Sequence, residues 1–233
     1  MAVSLISASE AYQLSGANIL VCGFAGAGKT TLATTAPNSF LISAESGLLS
    51  IAGRDDYPVM NVRNHTEVMD ALRFCQSSAE MKDFETVCID SLSEICENVL
   101  QKEKSSNSNQ LQAYGKFNDT IIPLIKAFRD LPEKNIYMTA KLDTRQEPYQ
   151  VLTPGAAVTN QIPYLFDEVA WLQAVTETDE NNTERFLQFA ADEKFAAKDR
   201  SGLLSGREPA DLAQIFQKIE HRMTEIENSK TEK

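Results

Sequence analysis

The 233-residue chain carries 33 acidic residues against 22 lysines and arginines, and this net charge of −11 excludes nucleic-acid coating by bulk electrostatics but not a local basic groove. A hydrophobic content of 42% without any apolar run near the roughly 20 residues that span a bilayer excludes a membrane-spanning protein and fits one well-cored domain. The start of the chain lacks the pattern of a signal peptide. We therefore expect a cytoplasmic protein with four buried, reduced cysteines and no contact with a membrane.

Apolar segments alternate with amphipathic segments along the first half of the chain. This alternation predicts an α/β fold with a mainly parallel central sheet flanked by helices. The predicted strands are 18–22, 39–44, 57–62 and 85–90, and the predicted helices are 29–35, 66–79 and 91–104, the last with a serine cap.

The second half adds an antiparallel strand pair near the C-terminus. Pro123 lies inside a predicted helix and indicates a kink or a late start, and Pro209 suits the first turn of the last helix. The predicted order is a polar break at 105–110, a helix at 114–132, a strand at 135–140, an irregular segment at 141–162, paired strands at 167–175 and 184–191 joined by an acidic turn, and a last helix starting within 207–219.

Residues 23–30, G-F-A-G-A-G-K-T, satisfy the pattern G-x-x-x-x-G-K-[ST] between a predicted strand and a predicted helix. The glycines let backbone N–H groups surround a phosphate, to which the helix start adds partial positive charge. Lys29 is expected to span the β- and γ-phosphates of ATP, Thr30 to ligate Mg²⁺, and Thr31 to donate to the α-phosphate. The predicted nucleotide-binding residues are Gly23, Phe24, Ala25, Gly26, Ala27, Gly28, Lys29, Thr30 and Thr31.

Acidic residues follow two predicted strands. Asp90 ends the strand 85–90 and is predicted to hold Mg²⁺ through its water shell. Hydrolysis also needs a base for the attacking water, and Glu45 and Glu94 are the candidates. We favour Glu45, because a carboxylate at a strand's C-terminal end points into the crevice where α/β sheets bind ligands. Glu94 equally suits a partner for the helix dipole in a first turn.

This arrangement resembles the RecA/DnaB branch of P-loop ATPases. In that branch the catalytic glutamate ends the strand after the P-loop helix, which matches Glu45, and the magnesium strand ends in Asp-Ser, which matches Asp90-Ser91. A sensor strand in that branch ends in a polar residue, commonly Gln or His, that couples the γ-phosphate to a DNA-facing loop. Lys141 occupies the position here, and this departure leaves open whether it senses phosphate or contacts DNA.

The segment F-A-A-K-D-R-S-G-L-L resembles the K-x-R-x-G element of the same branch, with Lys198, Arg200 and Gly202. There the two cations reach into the ATP site of a neighbouring subunit. The resemblance therefore implies catalytic roles for Lys198 and Arg200 in a head-to-tail homo-oligomer, either a filament or a ring. A solvated turn is the alternative interpretation of this segment.

The whole pattern looks like the compact phage-encoded RecA-like ATPases that are linked to single-strand annealing and homologous recombination. The division it implies is an N-terminal segment 1–17, a RecA-like ATPase core 18–208, and a C-terminal helix with a charged tail 209–233. It also implies binding of single-stranded DNA, in the cytoplasm of a bacterial host, with a single-strand-binding protein as a possible partner. The candidate DNA contacts are Lys102, Lys104, Lys116, Lys141 and Arg145, with Tyr114 and Tyr149 available for base stacking.

Other functions remain open from the residues. A GTPase is disfavoured because Ala140 replaces the polar residue of the guanine-reading N/T-K-x-D element, and a small-molecule kinase leaves Glu45 and the K-x-R-x-G element unexplained. An ATPase of the same fold that acts as a helicase, a helicase loader or a nucleotide switch on proteins is harder to separate. The acidic charge supports this last alternative.

Overall fold

The computed structural model describes residues 5–7, 15–176 and 183–231, with the backbone alone at 176 and 222–231. Most of the segment 1–17 and of the acidic turn after the predicted strand 167–175 lies outside the described residues. No described helix combines the length and apolarity needed to cross a membrane.

Ten strands and six α-helices follow one another along the described chain. The strands are β1 (Asn18–Gly23), β2 (Ser39–Ser43), β3 (Val59–Asn61), β4 (Thr86–Asp90), β5 (Asn135–Asp143), β6 (Gln150–Val151), β7 (Glu168–Thr176), β8 (Thr183–Gln188), β9 (Lys198–Asp199) and β10 (Glu208–Pro209). The helices are α1 (Lys29–Ala33), α2 (His65–Ser77), α3 (Leu92–Ser106), α4 (Gln110–Arg129), α5 (Ala156–Leu165) and α6 (Leu212–Thr231), with short 3-10 turns at Leu48–Ile51 and Ala79–Asp83.

The strands form one sheet in the order β10-β8-β7-β1-β5-β4-β2-β3, with β6 paired to β5 and β9 paired to β7. All pairings from β7 to β3 are parallel, whereas β8, β10, β6 and β9 pair antiparallel. The predicted fold class is therefore confirmed, including the antiparallel C-terminal pair of β7 and β8.

Both faces of the central sheet are covered, and every residue of β1, β2 and β4 is buried. Leu20 and Cys22 on β1 pack into a core with helices α2 to α5, and Ile19 and Val21 face a second core with α1 and α6. Strands buried on both faces lose the polar alternation of a half-exposed strand. The continuous apolar segments in the sequence have this cause, and all four cysteines are buried and unbridged as expected.

Short polar side chains cap the N-termini of helices α2, α3 and α4. The Ser91 hydroxyl accepts the N–H of Glu94 at the start of α3, as the predicted serine cap requires, and Asn64 accepts the N–H of Glu67 at the start of α2. Asn109 accepts the N–H of Leu111 and starts α4. Such caps fix where each helix begins, and the α3 cap places Glu94 one turn after Asp90.

Several element boundaries differ from the sequence prediction. The segment 141–162 is not irregular, because β5 continues to Asp143 and both β6 and α5 follow. α4 begins at Gln110, so Pro123 causes no late start, and the break between α3 and α4 shrinks to 107–109. Pro209 lies in β10 and not in the last helix, whose first residue is Leu212. Burial of Val158 and Ile162 against the core supports α5, although Pro154 precedes the helix and Pro163 lies inside it.

Candidate functional site

The predicted nucleotide-binding residues gather at one edge of the sheet, here called the carboxyl edge because parallel strands end there. The loop after β1, Glu45 after β2 and Asp90 at the end of β4 all lie at this edge. Lys141 lies directly opposite Gly23 in the register of β5 with β1. Ligands of α/β sheets bind in crevices at this edge, so the fold brings the sequence-predicted residues to one place.

The loop from Gly23 to Thr30 adopts a conformation that depends on glycine. Gly26 and Gly28 have φ values of 76° and 103°, where a side chain would strain the backbone. Arg185 of β8 also occupies the space that a Cβ on Gly28 would need, with its Nε 2.8 Å from that position. Gly28 is therefore required by its backbone angles, and a side chain at this position would also displace Arg185.

Lys29 folds back over the loop. Its Nζ donates to the carbonyl oxygens of Gly23 at 2.9 Å and Phe24 at 3.0 Å. Burial lowers the pKa of Lys29, while the carboxylates of Asp90 and Glu45 oppose that shift. The ammonium therefore lies within the loop that the sequence motif assigns to phosphate, where it can exchange two carbonyl partners for phosphate oxygens.

Thr30 and Asp90 are suited to hold Mg²⁺. The Thr30 hydroxyl donates to Oδ2 of Asp90 at 2.5 Å, and the Thr139 hydroxyl donates to Oδ1. Mg²⁺ in nucleotide sites takes few protein ligands together with phosphate and water. This oxygen pair fits that pattern, and Thr139 fixes the orientation of the buried Asp90 carboxylate.

Glu45 lies beside this pair and is held at its backbone and its side chain. Its N–H donates to the carbonyl of Asp90 at 3.4 Å, and its Oε1 accepts the Ser91 hydroxyl. Glu94, the alternative base, donates its own N–H to the same hydroxyl at 3.3 Å. Ser91 thus connects the two candidates, and Glu45 has the closer link to the magnesium strand.

The Lys141 side chain contacts both acidic candidates. Its Nζ lies 2.8 Å from Oε2 of Glu94 and 3.8 Å from Oε1 of Glu45. Its backbone N–H donates to Oγ of Ser93 at 2.9 Å. Burial alone would lower the pKa of Lys141, but Glu94 and Glu45 raise it above its usual value. Lys141 is therefore a charged member of this site.

Arg185 is the residue of the site that sequence reasoning missed. Its Nε donates to the carbonyl of Ala27 at 3.1 Å, across 158 residues of sequence. This contact uses one of the five N–H donors of a guanidinium and supports the loop from the β8 side. No motif marks Arg185, because the contact depends on how the β7–β8 pair folds against the loop.

An aromatic cluster connects the loop to the segment after β5. The Phe24 ring lies 6.1 Å from Trp171 and 6.4 Å from Tyr149, and Tyr149 lies 5.9 Å from Trp171, all in edge contacts. Tyr149 is half-buried in this cluster. It therefore packs against the P-loop aromatic, and its role in base stacking stays a prediction.

Lys198 and Arg200 lie at the opposite edge of the sheet, here called the amino edge. Lys198 pairs with Val169 on β7, which pairs with Leu20 on β1. Leu20 lies three residues before Gly23, about 10 Å at roughly 3.3 Å per residue. Lys198 Nζ donates to the carbonyls of Pro163, at 3.2 Å, and Phe166. Arg200 pairs with Asp167 at 2.6 Å.

The turn that carries these cations is built on acidic side chains. Asp199 accepts the N–H groups of Gly202 and Leu204, both at 2.9 Å, and Gly202 has a φ of 70°. Glu168 accepts the N–H of Ser201 at 3.1 Å, and its Oε2 has no hydrogen-bond partner among the described residues. Burial, followed by the neighbouring Asp199 carboxylate, raises the pKa of Glu168 to about 8.

The candidate DNA contacts have partners within the described part of the chain. Lys102 pairs with Glu103 at 3.2 Å, and Lys116 donates to Asn107 at 2.7 Å. Lys104 lies 5.2 Å from the centre of the Tyr114 ring. Arg145, which is well exposed, forms a two-point pair with Asp143. Together with Lys141, which faces Glu94, each of these cations has a partner within the chain.

Comparison with known proteins finds one matching family model and a similar solved structure. A model of the AAA domain family matches residues 15–201, a range that spans both the carboxyl-edge site and the Lys198–Arg200 turn. No curated protein matches the sequence significantly. Among solved structures, a KaiC-like protein from the hyperthermophilic archaeon Pyrococcus horikoshii is similar over 75% of this chain and 78% of its own, with 14% identity and a TM-score of 0.40.

Proposed function

The chain belongs to the AAA domain family of P-loop NTPases, and on that premise we propose that it hydrolyses ATP on single-stranded DNA. The observation that carries the proposal is the Thr30–Asp90 oxygen pair beside a complete phosphate loop, with Glu45 one strand away. Mg²⁺ held by Thr30 and Asp90 would neutralise charge on the phosphates. Lys29 binds the β- and γ-phosphates, and Glu45 accepts the proton of the attacking water.

Stimulation by DNA has a physical route in this fold. The exposed segment 144–148 leaves β5 three residues after Lys141 and ends at Tyr149, which contacts Phe24 in the P-loop. Single-stranded DNA bound along this segment would lie next to Lys141 at one end and next to the Tyr149–Phe24 contact at the other. The candidate contacts are Arg145 and Lys141, with Lys102, Lys104 and Lys116 at the break between α3 and α4.

Head-to-tail assembly is the second part of the proposal. Lys198 and Arg200 lie at the amino edge, about 10 Å or more along the strands from their own phosphate loop, and we propose that they serve the site of a neighbouring subunit. A cation supplied in trans stabilises the charge of phosphoryl transfer only when subunits are correctly stacked. This arrangement supports a filament or ring that promotes annealing or strand exchange in phage recombination, with a single-strand-binding protein as a partner.

The rate of ATP hydrolysis tests this proposal when it is measured with and without oligo-dT over a range of protein concentrations. Stimulation by the oligonucleotide, with a rate that rises more steeply than the protein concentration, is expected if sites form between subunits on a strand. A rate that is proportional to protein concentration and independent of DNA would contradict both the DNA-dependent and the intersubunit parts.

A protein-directed role is the second candidate. It is favoured by the in-chain pairing of Lys102, Lys116 and Arg145 and by the net charge of −11. In that case the ATPase acts as a helicase, a helicase loader or a nucleotide switch. Stimulation by a host replication protein in the absence of any effect of oligo-dT would favour this candidate.

A further inference from the structure

Three charged side chains meet beside the magnesium pair, and they form what we call the Lys141 latch: Glu45, Glu94 and Lys141. The ammonium is in direct contact with Glu94, at 2.8 Å, and lies 3.8 Å from Glu45. The sequence offered Glu94 as a base or as a partner of the helix dipole. The structure gives it a third role, as the anchor of a cation that faces the base.

The backbone around the latch is fixed at each of its three members. Glu45 is held through Asp90, Glu94 through the Ser91 cap, and Lys141 through Ser93. Oγ of Ser93 also donates to the carbonyl of Leu152 at 2.7 Å. In contrast, the Lys141 side chain is 42% exposed. Any rearrangement of the latch is therefore a movement of side chains, and that of Lys141 is the most exposed of the three.

The ionic contacts oppose the proposed chemistry of Glu45. The Lys141 ammonium faces Oε1 of Glu45 at 3.8 Å. Oε1 of Glu45 is further occupied by the Ser91 hydroxyl. A water molecule must therefore displace these partners before this oxygen can accept its proton.

We propose that Glu94 is a positioning residue that anchors Lys141 against Glu45, and that the latch opens when a phosphate anion takes the Lys141 ammonium. This inference rests on the proposed function, because it assigns Glu45 as the base. The opening anion is either the terminal phosphate of ATP or a phosphate of a nucleic-acid backbone. Lys141 lies opposite Gly23 of the P-loop and three residues before the exposed segment 144–148, so both sources approach the same ammonium.

The competition between Glu94 and phosphate for the Lys141 ammonium predicts whether one substitution raises or lowers the affinity for ATP. Glu94 stabilises the ammonium only in the latched state, so removal of its charge favours the state that binds phosphate. Glu94→Gln is therefore expected to bind ATP about threefold to tenfold more tightly, as loss of a charge-assisted hydrogen bond implies. Its affinity for ADP, which lacks the terminal phosphate, should stay the same. If the anion is nucleic acid, the gain appears in oligo-dT affinity.

Equilibrium binding can be read directly from this chain. Its single tryptophan, Trp171, lies 6.1 Å from Phe24 in the P-loop and reports nucleotide binding by fluorescence. Affinities for ATP and ADP are measured without Mg²⁺, so that ATP is not hydrolysed. Oligo-dT binding is measured by the fluorescence anisotropy of a labelled strand. Glu97→Gln is the matched control, since Glu97 is exposed on the same helix and acts on Lys141 only through its charge.

A double-mutant cycle with Lys141→Gln decides the outcome. The effect of Glu94→Gln should vanish when Lys141 is also replaced, because the latch then has no cation. A gain that persists in the double variant, or no gain for ATP or oligo-dT in Glu94→Gln, would overturn the latch. Wild-type protein that binds neither ATP nor ADP would instead overturn the proposed function.

Discussion

The two edges of the sheet carry the two charged clusters of this protein, and they differ in how their charges are satisfied. At the carboxyl edge Lys29 contacts loop carbonyls and Lys141 contacts two carboxylates, so phosphate can replace these partners. At the amino edge Lys198 is held by the end of α5, and Arg200 by Asp167. The first cluster is arranged for a ligand, whereas the second must give up in-chain bonds before it can serve another subunit.

The largest expected effect comes from Lys29→Ala at the carboxyl edge. Loss of charge-assisted bonds, about 1.5–3 kcal/mol each, should weaken ATP binding by roughly 100-fold or more. Trp171 fluorescence and the hydrolysis rate measure the loss. Lys82→Ala, at an exposed position on the 3-10 turn before β4, is the control and should behave as wild type. Undiminished ATP binding or hydrolysis in Lys29→Ala would contradict the assignment of residues 23–30 as the phosphate-binding loop.

Glu45→Gln separates binding from chemistry at the same edge. A general base contributes about 10²–10⁴ to a rate, so hydrolysis should fall by at least about 100-fold. Binding of ATP should be retained, because the amide keeps the shape of the side chain and weakens the latch. Single-turnover hydrolysis with saturating protein measures the chemical step. If turnover stays within a few fold of wild type, Glu45 is not the base.

Residues that are local in sequence were predictable, and residues that meet through long-range packing were not. The glycine loop, Asp90 and Glu45 follow from a motif and from strand ends, which a parallel sheet brings to one edge. Arg185 reaches Ala27 across 158 residues, and no motif marks it. Glu94 and Lys141 are each named from the sequence, but their contact depends on where α3 begins. Helix α5 was missed because Pro154, Gly155 and Pro163 favour irregular structure in isolation.

Arg200→Ala tests whether the amino-edge cations act on the ATP site of another subunit. If Arg200 acts in trans, the variant should bind ATP as wild type does but lose turnover by about 100-fold or more, since such arginines contribute 10³–10⁵. The rate is measured at protein concentrations where the wild type assembles. Asp167→Asn is the matched variant, because it releases Arg200 without removing it. If Asp167→Asn reproduces the loss, Arg200 has a structural role in its own chain.

The smallest expected effect is a pH dependence of stability that comes from Glu168 at the amino edge. Glu168 has a pKa of about 8 in the fold because of burial and the nearby Asp199, against about 4.3 in an unfolded chain. Between these values the folded chain binds a proton that the unfolded chain does not. The free energy of unfolding therefore falls as pH rises from about 4.3 to about 8, and this contribution is lost above that range.

Thermal unfolding at pH 6, 7, 8 and 9 measures this slope. One unit of pKa difference is worth about 1.4 kcal/mol, and about 1 kcal/mol shifts the Tm of a domain of this size by roughly 2–4 °C. Wild type should thus lose about 3 °C or more between pH 6 and 8 through this group, and Glu168→Gln should lose less. Glu193→Gln, at an exposed position, should keep the wild-type slope. Parallel slopes for wild type and Glu168→Gln would mean that the Arg200 turn rests on an ionised Glu168, so that the amino edge holds its cations by charge, as the carboxyl edge does.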